Sequence, residues 1–422
     1  MTLRDRLAGL PSTLRPFAHY ALVLLAFFIP IHVRTSINLI AVVLALALIV
    51  GNWQGLGQRL RCNWPVLAMW AFWLMHVIGI AYSSDVSKAL TDVVQKLSFM
   101  VMPIIFMLIE LDERKRYNIC SAFLLGSLVS MLIMLGRASW RVLTASDGDM
   151  LSHFIYCELT QPFHPTFFAM YLALALAIAL QRLYDGGLGE KWRVAYTLLA
   201  LLLLAFCYLT TSRAGIFVML VALIFITMVR FKYGRSALIA MGGAGMLVGI
   251  VALVGVMQTG STDSAVAGIL HRNSLRGYTN DTQHDARLQI WSTVPMVLKG
   301  HWLLGIGPGD SNRELAEVYT QRGFKHLNWK LNAHNQYLQT SINIGLAGLA
   351  LLVIILAYPF VLRFGQMARH AVPLAFIAIM VLHFMFDTML EFVQGIMFFA
   401  FFYSLFFCST GPSAPSTACS QP

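Results

Sequence analysis

Residues 330–345 read KLNAHNQYLQTSINIG, and residues 346–362, LAGLALLVIILAYPFVL, are almost wholly apolar. Together they have the length and composition of a helix that crosses a hydrocarbon layer about 30 Å thick. Yet the helix begins with a His, two Asn and two Gln in its first turns. In lipid each such group costs free energy to desolvate unless it has a partner. A helix start of this kind implies that something is handled at that end of the membrane.

The rest of the chain has the same character. Apolar residues make up 58% of 422 positions and charged residues only 12%, which excludes an ordinary soluble domain. The apolar residues fall in long blocks rather than helical stripes. Twelve blocks are legible, near 17–33, 36–50, 64–82, 94–109, 116–136, 165–184, 193–210, 212–230, 237–257, 335–362, 371–386 and 390–408. The expected fold is an all-α polytopic membrane protein of about 12 transmembrane helices, with one large, partly helical periplasmic loop.

Charge sets the orientation. With both termini in the cytoplasm, the inside holds 16 basic and 6 acidic residues and the outside 14 and 13. The formal charge of +11 is thereby an orientation signal, with no call for nucleic acid. The first apolar block lacks a small-residue cleavage site and reads as an uncleaved anchor. Of the six cysteines only Cys157 falls clearly outside, so no disulfide is expected. The expected divisions are helices 1–9 over 1–257, the large loop over 258–334, helices 10–12 over 335–408, and a disordered tail over 409–422. Within the loop, HDARLQIWSTVPMVLK (284–299) and SNRELAEVYTQRGF (311–324) read as short amphipathic helices, separated by the turn GIGPGD (305–310). A structured loop on one side of a membrane protein marks the working side.

Four cations break the inside bias and gather at the outer surface: Arg34 in IHVRTS, Lys96 at the start of a span, Arg213 in YLTTSRAG, and Arg287 on the loop helix. Singly, each reads as a side chain snorkelling to the head groups. Collectively they point to a bound anion, with Arg suited to bidentate phosphate contact. A lipid-linked diphosphate is an anion found at that depth. Asn332 reads as an N-cap, making Ala333 and His334 the first helical residues, with free N–H groups facing the outer surface. A His there can exchange a proton near neutral pH; the competing reading is a His hydrogen-bonded inside the bundle. Asn335, Gln339 and Asn343, at four-residue spacing, form a polar stripe, and Tyr337 lies among them as a further substrate-contact candidate. His164 in QPFHPTFFAMY stands just outside another span as either a substrate contact or a structural cap. Asp387 and Glu391, in FDTMLE, could orient a base or an acceptor sugar, or simply form a solvated turn.

No GxxxxGK[ST] loop is present, so nucleotide hydrolysis is not expected to drive the protein. No HExxH lies in the outer loops, and no metal site and no cofactor are expected. What remains fits a preactivated substrate with a diphosphate leaving group.

Arg287 with Trp291 one turn on, then GIGPGD, then NAHNQYLQ opening a span, preceded by TTSRAG and HPTFFAMY, resembles the bacterial O-antigen ligase and polymerase superfamily. The likeness covers about 160–345; each motif is common, but five in order on one face are specific. It implies transfer of a glycan from undecaprenyl diphosphate at the outer face of the bacterial inner membrane. Ligases of that superfamily pass O-antigen to lipid A-core oligosaccharide, polymerases extend the lipid-linked glycan, and a third branch glycosylates protein hydroxyls. One dominant loop and a chain that stops soon after its last span resemble the ligases. The expected roles are His334 as general base, Arg213 and Arg287 on the diphosphate, and Arg34, Lys96 and His164 as donor contacts. Expected partners are the undecaprenyl-diphosphate-linked O-antigen donor, the lipid A-core acceptor and inner-membrane lipid. A transporter or flippase for a lipid-linked anion is the rival from another class. It would use the same arginines without a base, and its charged site would sit nearer the midplane.

Overall fold

The computed structural model describes residues 3–144, 150–185, 187–230, 283–324, 332–363 and 370–409. All regular structure among the described residues is helical. The α-helices run α1 (Leu3–Phe28), α2 (Val33–Val50), α3 (Leu56–Cys62), α4 (Trp64–Gly79), α5 (Val86–Gln95), α6 (Ser98–Leu108), α7 (Glu113–Thr144) and α8 (Tyr156–Thr160). They continue with α9 (Pro165–Tyr184), α10 (Glu190–Leu209), α11 (Arg213–Arg230), α12 (Gln283–Val297), α13 (Ser311–Gln321), α14 (Gln336–Arg363), α15 (Ala371–Phe386) and α16 (Val393–Tyr403). Seven described segments are long and apolar enough to cross a membrane, and four shorter apolar helices accompany them. The apolar block at 237–257, much of the large loop and the tail from 410 lie outside the described residues.

Helix α9 is the hub. Pro165 occupies its first turn, where a missing N–H costs nothing. The sequence AMYLALALAIAL then alternates small with large side chains, so neighbours can approach closely on every side. Residues 167–180 are all buried, against α7, α10, α11 and α15. A second packing centre comes from α16, where Phe398, Phe399 and Phe402 meet Phe123, Phe99 and Phe376. A bundle built this way is rigid at the depth from which the polar residues project.

Two helical runs that the sequence presents as continuous are broken. The expected span 94–109 is instead two helices, α5 and α6, which meet at Lys96 and Leu97. The expected span 335–362 is interrupted inside α14 at Ile344 (φ −134°, ψ 19°) and Gly345 (φ 72°, ψ −172°). A break in lipid must have its freed backbone groups paired within the protein. Residues 302–307 do this: Ile306 and Gly307 donate N–H groups to the Ile342 and Asn343 carbonyls at 2.9 and 3.1 Å. Leu346 and Ala347 in turn donate to the carbonyls of Trp302 and Leu303 at 2.8 and 3.2 Å. Only glycine fits at 345, since a Cβ would stand 2.1 Å from the Leu303 carbonyl oxygen.

The remainder of GIGPGD is also structural. Asp310 accepts the Ser84 and Asp85 amides at 2.6 and 3.2 Å, pinning the turn between α4 and α5. Cys120, Cys157, Cys207 and Cys408 are free thiols, whereas Cys62 is disulfide-bonded, against the expectation of none.

Candidate functional site

The start of α14 departs from the sequence expectation by three residues. Asn332 does not cap a helix at Ala333; its Oδ1 accepts the His334 amide at 3.1 Å and closes a tight local turn. His334 itself has φ 45°, a left-handed conformation that a non-glycine residue rarely adopts. The helical cap is Asn335, whose Oδ1 accepts the Leu338 amide at 3.1 Å while its Nδ2 donates to the Met385 carbonyl at 3.3 Å.

Ala333, just before the histidine, is held on both sides. Its N–H donates to Gln339 Oε1 and its carbonyl accepts Trp291 Nε1–H, each at 3.0 Å. Trp291 lies one turn beyond Arg287 on α12, so the helix that carries the arginine also fixes the histidine segment.

His334 faces Asp387, which ends α15, with Nδ1 and Oδ1 3.6 Å apart. That is longer than an ordinary hydrogen bond. Burial works to raise the Asp387 carboxyl; contact with His334, the Thr388 amide and His164 outweighs it and leaves the group below its usual value. His164, directly before α9, keeps an exposed surface. Its imidazole is nonetheless lowered, first by desolvation and then by His334, with Asp387 opposing. The Tyr156 ring lies edge-on to His164 at 6.4 Å between centroids.

Arg287 stands within electrostatic range of Asp387, Tyr156 and Arg213. Ser212 Oγ accepts the Gly215 amide at 3.2 Å and so caps α11, which makes exposed Arg213 its first residue. Arg287 is half-buried and makes no hydrogen bond or ion pair with a described residue. Burial is the largest influence lowering its guanidinium, Arg213 adds to it, and Asp387 and Tyr156 oppose. An arginine does not give up its proton in a protein. Among the described residues, Asp387 is the carboxylate that opposes this positive charge, an electrostatic condition that suits binding an anion.

Backbone strain marks the same place. Tyr156, Thr211 and His334 are the non-glycine residues with positive φ among the described residues (52°, 48° and 45°). Tyr156 lies against His164, Thr211 stands two positions before Arg213, and His334 faces Asp387. Such conformations persist where surrounding structure enforces them, and they collect at working sites. Neither Tyr156 nor Thr211 carries a sequence signal that would have singled it out.

Other sequence candidates lie elsewhere. Arg34 is exposed in the first turn of α2, with no hydrogen bond or ion pair to a described residue. Lys96 is fully buried and committed to Asp92 and Glu391. Gln339 and Asn343 face inward, bonded to each other at 3.1 Å, and the Tyr337 hydroxyl donates to the Val381 carbonyl at 3.0 Å. The inward stripe is thus 336/339/343 rather than 335/339/343, because Asn335 turns away to cap the helix.

A cavity of about 700 Å³, lined by Leu183, Tyr184, Leu188, Arg193 and Leu198 among others, lies at the opposite end of α9 from His164 and takes no part in this cluster.

Comparison with known proteins adds an independent finding. No curated protein matches the chain. The family model described as O-antigen ligase matches residues 198–353, a stretch that includes Arg213, Arg287, Trp291, His334 and the break at Gly345. That match, on a helical chain rich in apolar spans, supports an assignment to the O-antigen ligase and polymerase superfamily over the matched stretch.

Proposed function

We propose that the protein is an O-antigen ligase, transferring O-antigen polysaccharide from undecaprenyl diphosphate to lipid A-core oligosaccharide at the periplasmic face of the inner membrane. The observation that carries this reading is the pairing of His334 with Asp387 near two arginines that form no ion pair with a described residue.

His334 takes the proton of an acceptor hydroxyl. The hydroxyl oxygen bonds to the anomeric carbon from the face opposite the phosphate, so the configuration inverts. The bond from that carbon to the phosphate oxygen breaks, and the diphosphate leaves with the electron pair. General-base help of this kind contributes about 10²–10⁴-fold. Arg213 and Arg287 meet the charge growing on the leaving group, and one such preorganised donor is worth roughly 3–4 kcal/mol. Asp387 orients the imidazole and stabilises it once protonated, as a carboxylate does behind a catalytic histidine. A donor set of two arginines and two histidines around one carboxylate suits an anion and repels a divalent cation, which favours a metal-independent transfer.

Polymerase activity and transfer to protein hydroxyls use the same site chemistry with another acceptor. Transport is not favoured by the break in α14, because its freed backbone groups are paired by residues 302–307 rather than left to line a passage.

Lipopolysaccharide gels test the reading, from a strain deleted for the gene and complemented with wild type or His334→Ala. Core without O-antigen, with glycan accumulating on undecaprenyl diphosphate, is the ligase outcome. Core bearing a single repeat makes the protein a polymerase. An expressed His334→Ala that restores the full ladder removes the base assignment.

A further inference from the structure

Beneath the His334–Asp387 pair lies a buried polar assembly centred on Glu391. Its Oε2 meets Lys96 Nζ at 3.3 Å, and Lys96 is also paired with Asp92 one turn earlier on α5. Gln336 Nε2 donates to Glu391 Oε1 at 3.3 Å, and Asn343 Nδ2 reaches Oε1 and Oε2 at 3.3 and 3.4 Å. Gln336 Oε1 also accepts the Leu390 amide at 2.7 Å. Every hydrogen-bonding partner of the Glu391 side chain is a donor, which offsets part of the cost of burying a carboxyl group that desolvation and Asp92 push above its usual range.

The placement is what matters. Lys96 stands where α5 gives way to α6; Gln336 and Asn343 lie on the part of α14 before its break. Glu391 ends the five-residue turn that Asp387 begins, and Gln336 follows His334 by two positions. The two members of the proposed catalytic pair are therefore each a few bonds from one ion pair, which adds to the Asn335–Met385 and Tyr337–Val381 hydrogen bonds between their elements.

From this we infer that Lys96 and Glu391 are positioning residues: their buried ion pair sets the separation of His334 from Asp387, and Lys96 does not touch the glycan donor. The inference rests on the proposed role of His334 and assigns Lys96 a task other than phosphate binding. Replacing Glu391 by Gln keeps the volume but turns an amide NH2 toward Lys96 or Asn343, both donors. Replacing Lys96 by Met leaves Glu391 without its cation. Combining the two removes the mismatch at Glu391 and leaves only Asp92 without its cation, so the expected recovery is partial.

The experiment uses full-length purified protein in detergent and two readouts. The first is transfer from a synthetic undecaprenyl-diphosphate glycan. Lys96→Met and Glu391→Gln should each lose about 10²-fold in kcat with the donor KM unchanged, the cost of a misplaced base. Lys96→Met/Glu391→Gln should recover a large part of that loss. The second readout is the rate at which diethyl pyrocarbonate modifies His334, followed by mass spectrometry, which needs no catalysis. It should rise severalfold in each single variant and return toward wild type in the double. Should a single variant fail to fold, Asn343→Ala keeps both charges, removes two contacts to Glu391 and should give the same kcat loss. A raised donor KM in Lys96→Met with no recovery in the double would make Lys96 a donor contact and overturn the inference. An unchanged modification rate in folded variants would overturn it equally. If wild type transfers nothing while the modification pattern holds, the positioning role stands and the functional reading falls.

Discussion

Trp291 donates its indole N–H to the carbonyl of Ala333 at 3.0 Å, joining α12 to the residue immediately before His334. Trp291→Phe keeps an aromatic ring, gives up part of the indole's packing and loses this bond, itself worth about 1 kcal/mol. The left-handed turn at His334 then has one anchor instead of two. The expected result is a kcat lowered about tenfold with little change in thermal unfolding, since small displacements of reacting groups weigh heavily on rate. Equal losses in stability and rate would make the bond structural alone.

Arg287→Lys and Arg213→Lys retain a charge and give up the planar fork. Each should reduce transfer by about 10²-fold or more, as loss of one preorganised donor does. Arg287→Lys should be the worse of the two, because a half-buried ammonium is harder to keep charged than an exposed one. Transfer assays on the two purified variants decide this, and near-normal rates in either would remove that arginine from the diphosphate.

Asp387 supplies a test in pH. Its carboxyl lies below the usual value because His334, the Thr388 amide and His164 outweigh its burial. A group whose pKa is lower folded than unfolded contributes its full stability above the unfolded value, about 3.9, and loses it as pH falls through the folded one. Its share of thermal stability should thus be flat from pH 7 to about pH 4 and decline below that. Asp387→Asn should lose this acid limb, and transfer should fall at every pH as the imidazole loses its orienting partner. An acid limb of the same size in the variant would assign it to another carboxylate.

Gly345→Ala probes the break in α14. The new Cβ would press on the Leu303 carbonyl at a positive φ, so destabilisation on the order of 3 kcal/mol is expected. Thermal unfolding in detergent reads it directly. Gly57→Ala, at a glycine with open space around it, serves as the control.

What the sequence made legible, and what it hid, follows from the range of the interactions. Apolar blocks report burial residue by residue, and so α2, α4, α9 and α10 stand close to where the blocks predict them. His334 and Arg213 stood out because polar groups at the mouth of an apolar helix are costly, and Arg287 because it is a cation on the outer side against the charge bias. The cap at Asn335 was misread because Asn332, Asn335 and the residues between offer two cap-like starts, and the choice depends on a turn closed by Asn332 itself. Lys96 was misread as a surface cation because its partner Glu391 lies 295 residues away. Asp92, one turn earlier, is a local sign of a partner, but only the fold shows that the lysine is buried between it and Glu391. The break at Gly345 was hidden for the same reason, as its freed amides are answered by a loop some forty positions earlier.

That last relationship also bears on how the chain is made. The segment 336–363 cannot adopt its final course alone, since its kinked backbone leaves carbonyls and amides that lipid will not serve. Their partners at 302–307 precede it, so they have left the ribosome before the kink emerges. Reversing that order in a circular permutant would present the interrupted span to the insertion machinery before its partner exists, and a straight, fully hydrogen-bonded helix would be its easiest state.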